Sequence, residues 1–498
     1  MITGRLLRAS LIAIAVTLSA ACAGGSGDGV DVDDAFLSVT FAPTDLDPAA
    51  SSSITSGDFN GDGFTDLLLG APGADGPEDS RPDAGEAYVL LGPLEGEIDL
   101  SSGAPDLLIF GAVDGDNLGA GVAAGDLNGD GVDDIIVGAP NSNALENLRT
   151  DMGEAYVVFG QADLPTTVDL LERQQDFTLR PAEGFSHLGR SFAVGDVNAD
   201  GIDDLVAGAP FAGREPGSPV GSPRTTVGEV YVVYGAADLG GIASVADRDE
   251  DVLLSGLRAF DQFGASVAIK DVDGDGTADV IVGAPSFEAD GAAADDGGGV
   301  FVFHGGTLQQ RMTADNAVTR FLGEPSFALG NLVAAADLGA GSAPTVVAAA
   351  FLASGSSAGL IGAGRTYFIN SSGTDGDLTS CGCATFISGP EAGVFFPASL
   401  AATSGGDVLA LGSPRSAAGS GTVYILEATP SADLDLSDEE VGLMSLEGSR
   451  TDAGFGAALA FADLDGDGVD ELLVTEAGAQ QSSASFNGVV YGLKLRAD

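Results

Sequence analysis

Apolar and polar positions along this chain fall into a short, repeated cadence. A small apolar segment, such as "LGAGVAAGD", "FGASVAIKD" or "FGAALAFAD", runs into a cluster of acids and glycines. An apolar run such as "LLLGAP" or "VIVGAP" follows at once, then a Gly-, Ser- or Ala-rich connection. Next comes "GEAYVLLG", "GEAYVVFG", "GEVYVVYG", "GGVFVFHG", "GRTYFIN", "GTVYILE" or "GVVYGLK", and a fourth run such as "DLLIFG", "DVLLSG" or "ATFISG" closes the unit. Short runs rich in β-branched and aromatic residues, bounded by Gly, Pro and Asp, predict strands. Helical periodicity is nearly absent; "LPTTVDLLERQQD" allows at most one short turn of helix.

The acidic cluster marks the repeat. "GDFNGDGFTDLLLGAP" begins at Gly57, "GDLNGDGVDDIIVGAP" at Gly125, "GDVNADGIDDLVAGAP" at Gly195, "KDVDGDGTADVIVGAP" at Lys270 and "ADLDGDGVDELLVTEA" at Ala462. Two weaker copies, "ADLGAGSAPTVVAAAF" from Ala336 and "ASLAATSGGDVLALGSP" from Ala398, fill the gap before the last. First loop positions at 58, 126, 196, 271, 337, 399 and 463 give steps of 68, 70, 75, 66, 62 and 64 residues. Seven copies at a near-constant period mean one array rather than seven domains. Four strands per copy predict an all-β, seven-bladed β-propeller of four-stranded antiparallel blades. The last unit stops after its third strand, and an extra N-terminal strand, "AFLSVTF", precedes the first loop. That strand is expected to complete the last blade and close the ring.

Phe263-Gly264 before the loop and Gly283-Ala284-Pro285 after it resemble the FG-GAP repeat. The Gly-Ala-Pro is kept in units one to four and drifts to Gly412-Ser413-Pro414 in unit six. The resemblance covers residues 34–498. It implies a propeller like that of integrin alpha subunits and of bacterial integrin-like proteins, with calcium in the acidic loops.

The loop chemistry points the same way. Asp126, Asn128 and Asp130 stand at positions one, three and five, Gly131 at the tight turn, and Asp134 at position nine, with the Val132 carbonyl at position seven. Oxygen donors at alternate positions let a short loop wrap a hard cation, and calcium accepts six to eight oxygens in irregular geometry. The closing acid at nine rather than twelve, and a strand rather than a helix after it, exclude an EF-hand. The other sets are Asp58, Asn60, Asp62, Phe64 and Asp66; Asp196, Asn198, Asp200, Ile202 and Asp204; Asp271, Asp273, Asp275, Thr277 and Asp279; and Asp463, Asp465, Asp467, Val469 and Glu471. One copy alone would fit an exposed Asp/Gly hairpin; five copies predict about five calcium ions. Unit five keeps Asp337, with Gly339, Gly341 and Thr345 at the other ligand places, and unit six keeps Asp407 at position nine. Both are expected to lack an ion.

Charge sharpens this picture. The 498 residues carry a formal net charge of −55, yet 44% are hydrophobic, so the chain has ample apolar surface for a core. Scarce lysine and arginine argue against a nucleic-acid partner. Residues 1–22 read as an export signal: Arg5 and Arg8 precede "LIAIAVTLSA", and "SAAC" ends at Cys22. The segment resembles a bacterial lipoprotein signal in which Cys22 becomes the lipidated first residue, although Ser19 stands where such signals carry Leu; ordinary cleavage near Ala21 is the alternative. By the same resemblance, Ala23 rather than Asp after Cys22 favours an outer-membrane anchor, with an extracellular protein as the alternative. Residues 23–33 read as a flexible tether, and no later apolar run is long enough to span a membrane. Cys381 and Cys383, in "SCGC", read as a local disulfide or two thiols.

Catalysis finds little support. His187 and His304 read as packing residues, and no HExxH or P-loop occurs. The resemblance implies a cell-surface, calcium-binding adhesion module for a protein or glycan, with a hydrolase of phospholipid or polysaccharide, or a purely structural surface protein, as alternatives. The partner is expected on the face opposite the acidic loops, where the connections are long and variable. The strongest candidate is 209–228, with Arg214 and Arg224 as rare positive charges. Membrane contact is expected only through the N-terminal lipid.

Overall fold

The computed structural model describes residues 36–40, 53–100, 103–143, 151–182, 184–213, 226–288, 297–338, 344–355, 360–370, 376–378, 384–416, 419–438, 441, 443–448, 453–476 and 488–495. Their strands form seven separate sheets that follow chain order, and helix is confined to isolated 3-10 turns. One such turn, Leu170–Glu172, falls in the single segment whose pattern allows it. Blade two shows the plan: Gly121–Gly125, Asp134–Ala139, Glu154–Val158 and Phe177–Arg180 run antiparallel in chain order. The first strands of successive blades stand side by side around a ring. Leu459–Ala462 of blade seven lies beside Ile54–Gly57 of blade one. In blade seven, Leu37–Thr40 pairs antiparallel with Val489–Leu493, Leu37 lying opposite Gly492.

Four strands per blade is one too few for six of the sheets. Gly96–Asp99 pairs parallel with Leu37–Thr40, Thr167–Asp169 with Leu107–Phe110, and Gly241–Ser244 with Phe177–Arg180. Arg311–Thr313 pairs likewise with Val252–Ser255, Gly376–Asp377 with Thr319–Leu322, and Leu434–Asp435 with Ala384–Ser388. Each fifth strand comes from the third-to-fourth connection of the following blade and covers an edge that would otherwise present unpaired backbone. Only Met444–Glu447, the outer strand of blade six, lacks such a partner among the described residues. Segments as short as "EID" or "TVD" inside a connection carry too little pattern to announce a strand.

The core lies between blades. Asp66–Ala71, Asp134–Ala139, Asp204–Ala209 and Asp279–Ala284 are buried at every residue. Neighbouring blades cover both faces, which explains continuous apolar runs in place of alternation. One cluster joins Ile136, Ala155 and Val157 of blade two to Leu205, Ala207 and Tyr231 of blade three.

The glycines of the repeat set the spacing of that sandwich. Within blade two, Gly119 N–H donates to the Gly138 carbonyl at 2.9 Å. Between blades, a Cβ on Gly70 would lie 2.0 Å from the Gly119 carbonyl oxygen, and Gly283 stands in the same relation to Gly330. Each Gly-Ala-Pro glycine thus receives the backbone of the next blade's Leu-Gly or Phe-Gly turn.

The two faces of the ring differ. The turn after the third strand returns to the acidic loop: Gln161 N–H donates to the Phe59 carbonyl and Ala236 N–H to that of Leu127. On the other face, the second-to-third connection meets the entry to the next blade, as where Leu118 N–H donates to the Ala84 carbonyl.

Candidate metal-binding loops

Each full acidic loop links the first and second strands of its blade, and its second residue fixes it to the core. Phe59, Leu127, Val197, Val272 and Leu464 are buried. In blade two, Asp126 Oδ1 accepts the amides of Gly129 and Asp130 at 2.7 and 3.1 Å, and Oδ2 accepts that of Gly131 at 2.8 Å. Asn128 Oδ1 accepts from Asp130 N–H at 3.0 Å, and Asp130 Oδ1 from Val132 N–H at 3.0 Å. The same pattern recurs around Asp58, Asp196 and Asp271. Alternation of acids is therefore a folding device as well as a donor set: each side chain caps the amide two to five residues on. The turn needs left-handed backbone at position six, with φ of 87° at Gly63 and Gly131 and 93° at Gly276.

Position nine closes the base. Asp66, Asp134, Asp204 and Asp279 are fully buried, and Glu471 nearly so. Asp134 Oδ2 accepts from Leu127 N–H at 2.9 Å and Oδ1 from Gly160 N–H at 3.0 Å, so the carboxylate ties its own loop to the end of the third strand. Asp66, Asp204 and Asp279 repeat both bonds. Burial pushes the Asp134 carboxyl up to about 7, and those of Asp66, Asp204 and Glu471 to about 6, although the backbone bonds pull the other way. The like charges of the loop add to the rise.

Acid oxygens converge closely enough to hold a metal ion in two loops. Asp271, Asp273 and Asp275 offer atoms within 4.8 Å of one another, as do Asp463, Asp465 and Glu471. In blades one to three asparagine takes position three, and its oxygen belongs to the same all-oxygen donor set. The position-seven residues Phe64 and Val469 are exposed. An oxygen-only set on a turn already shaped by its amides suits a hard divalent cation.

The structure also places residues that the pattern left unread. His304 is not a packing residue. It follows the third strand of blade four, and its Nδ1 lies 3.1 Å from Asp273 Oδ2, close to Asp279 as well. The corresponding residue of blade seven, Lys494, pairs with Asp465, with Asp467 at 2.8 Å and with Glu471 at 3.5 Å. His187, by contrast, packs edge-on to Phe211 at 5.4 Å, and burial lowers its pKa.

Position eight laces neighbouring loops together. Asp133 Oδ2 accepts from Asp58 N–H at 2.9 Å, and Asp203 Oδ2 from Asp126 N–H at 3.3 Å. The "DD" at positions eight and nine was the visible signal.

Blades five and six depart from the plan. Asp337 pairs with Lys270 at 2.8 Å, and Thr345 is buried at the strand start; residues 339–343 lie outside the described residues. In blade six the sequence alignment slips. Ser399 lies inside the first strand, opposite Gly412, and Ala402 pairs with Leu409. Only six residues link these two strands, so Val408, not Asp407, falls at position nine. Asp407 Oδ1 accepts from Thr403 Oγ1 at 2.7 Å. Cys22, the tether, Arg214, Arg224, Cys381 and Cys383 lie outside the described residues.

The FG-GAP repeat model matches residues 50–90, 118–158, 188–233 and 455–493. The chain is similar to a phosphatidylinositol-glycan-specific phospholipase D of Bos taurus, 35% identical over 164 residues, which is 32% of this chain and 18% of that protein. It is similar to integrin alpha pat-2 of Caenorhabditis elegans, 28% identical over 244 residues, 47% of this chain and 17% of that one. It is also similar to integrin alpha-PS5 of Drosophila melanogaster, 30% identical over 245 residues, 48% of this chain and 21% of that one. The chain thus spans about a fifth of the length of the curated relatives it matches.

Proposed function

We propose that this FG-GAP repeat protein is an exported, calcium-binding recognition module: ions brace one face of its ring, and a protein or glycan partner meets the other. The observation that carries the reading is the recurrence of one all-oxygen, amide-shaped loop on one face of successive blades. Calcium suits it better than magnesium, which holds several waters in a strict octahedron. Bound there, the ion would relieve repulsion among position-one, -five and -nine carboxylates and lock a hairpin between two buried strands. Asp58, Asn60, Asp62 and Asp66 of blade one, and their counterparts in blades two to four, would hold it.

The recognition half of the reading rests on the opposite face, where the second-to-third connections are long and unlike one another. Export, with Cys22 as a lipid anchor to the outer membrane, follows from the N-terminal pattern. Among the described residues no helix is long and apolar enough to cross a membrane. A second reading, hydrolysis of a phosphatidylinositol glycan, draws on the name of the bovine relative.

Calcium is expected to raise the melting temperature of purified protein, and chelator to lower it, because an ion bound only by the folded ring stabilises it by mass action. Magnesium should do less. Melting unchanged by chelator removes the calcium reading. Partner capture from native envelope, with and without chelator, tests recognition, and release of product from a phosphatidylinositol glycan would favour the hydrolase.

A further inference from the structure

Position three of the acidic loop and the residue that follows the third strand of the same blade change together. Where position three is Asn60, Asn128 or Asn198, the later residue is Leu91, Phe159 or Tyr234. Where it is Asp273 or Asp465, the later residue is His304 or Lys494. The geometry supplies the reason, because that residue stands over position three. His304 Nδ1 is 3.1 Å from Asp273, and the Lys494 ammonium pairs with Asp465. An extra carboxylate in the loop is matched by a basic group above it.

In blade seven the match goes further. Lys494 Nζ also lies 2.8 Å from Asp467 Oδ2 and 3.5 Å from Glu471 Oε1. Positions three, five and nine therefore share one ammonium. Two of its N–H donors bond Asp465 and Asp467, and Asp463 Oδ1 is buried without a hydrogen-bond partner. The same ammonium stands 5.5 Å from the centre of the Phe36 ring, and Phe36 N–H donates to the Gly492 carbonyl at 3.1 Å. Phe36 leads into the strand that pairs with Val489–Leu493. One positive charge thus joins the blade-seven loop, the C-terminal strand and the approach of the N-terminal strand. In blade four, by contrast, Asp273, Asp279 and His304 offer ligand atoms within 4.8 Å of one another, so the group above that loop can itself hold an ion.

Resting on the calcium reading of blades one to four, we infer that Lys494 is the resident cation of the blade-seven loop, which therefore takes no calcium. A fixed ammonium among the ligands fills the space an ion needs and repels it at contact distance. Four loops bind, and the blade in which Leu37–Thr40 joins Val489–Leu493 is held by a charge that no chelator can remove.

Native mass spectrometry of the full chain, desalted from saturating calcium, counts the ions. Wild type should retain four. Lys494→Leu should retain five, as should Asp465→Asn combined with Lys494→Leu, which recreates the pairing found in blade one. Five ions on wild type, or four on a double variant that melts cooperatively, would overturn the inference while leaving calcium binding intact. No ions on any form would take down both readings. Hydrogen exchange on unmodified protein gives an independent check. Chelator should deprotect the loops of blades one to four and leave residues 464–471 unchanged; loss of protection there would refute the resident lysine.

Discussion

Single positions with no side chain decide how closely the blades approach. A methyl group on Gly283 would lie 2.0 Å from the Gly330 carbonyl oxygen, with rigid backbone on both sides. Gly283→Ala should cost roughly 2–4 kcal/mol, read as a lower midpoint in denaturant. The converse holds at Ala199, whose φ of 64° occupies a left-handed place that glycine fills in the other full loops. Ala199→Gly should stabilise the chain by roughly 1 kcal/mol, visible as a small rise in melting temperature. Protonation acts at the same scale. Burial raises the carboxyls of Asp66 and Asp204 to about 6 and that of Asp134 to about 7. In chelator, their contribution to stability is fully present below the ordinary carboxylate pKa of about 4 and is lost as pH rises through 6 to 7. The melting temperature of chelated protein should therefore rise on acidification from about pH 8 to about pH 5. In calcium the slope should reverse, since the ion needs the ionised form. Parallel slopes in the two buffers would contradict ligation by these groups.

Elements were legible in the sequence where one blade contains all the information. The strand order, the hairpin carrying the acids and the buried second strand all follow from runs such as "DIIVGAP", because a short β-rich run and its turn are local. What escaped notice depends on groups brought together by the fold. His304 looked apolar because it ends a strand, and its acid, Asp273, lies 31 residues earlier. Lys494 was invisible for the same reason. The fifth strands were missed because their pairing partner belongs to another blade, and the slip in blade six shows only in the register opposite Gly412. Asp133 stands between two ligand positions and accepts the Asp58 amide of the neighbouring blade, a contact that no single blade contains. Asp133→Ala leaves that amide unpaired and should cost about 1–3 kcal/mol. Its effect on calcium affinity should fall on the blade-one loop, measured by titrating variants that retain one loop each; weakening of the blade-two loop alone would contradict the lacing.

At the scale of the whole molecule, the seven-bladed all-β ring matches the expectation drawn from the period of the repeat. The pairing of Leu37–Thr40 with Val489–Leu493 gives the first described residues a part in the last blade. A chain lacking residues 34–43 should expose the edge of Val489–Leu493 and uncouple Gly96–Asp99 from its support. It should melt lower and self-associate, as shown by light scattering; a monomer as stable as the parent would contradict a role in closure. The fifth strands give the ring a further property. Each hooks a blade onto the one before it, so that peeling any blade means first unfastening its successor. Blade six alone has no hook from blade seven among the described residues. The ring is then a belt with a single buckle, and strain applied anywhere runs along it until it reaches that place. Amides of Met444–Glu447 should exchange with solvent sooner than those of Phe177–Arg180 or Val252–Ser255, and a propeller pulled apart should tear first between its sixth and seventh blades.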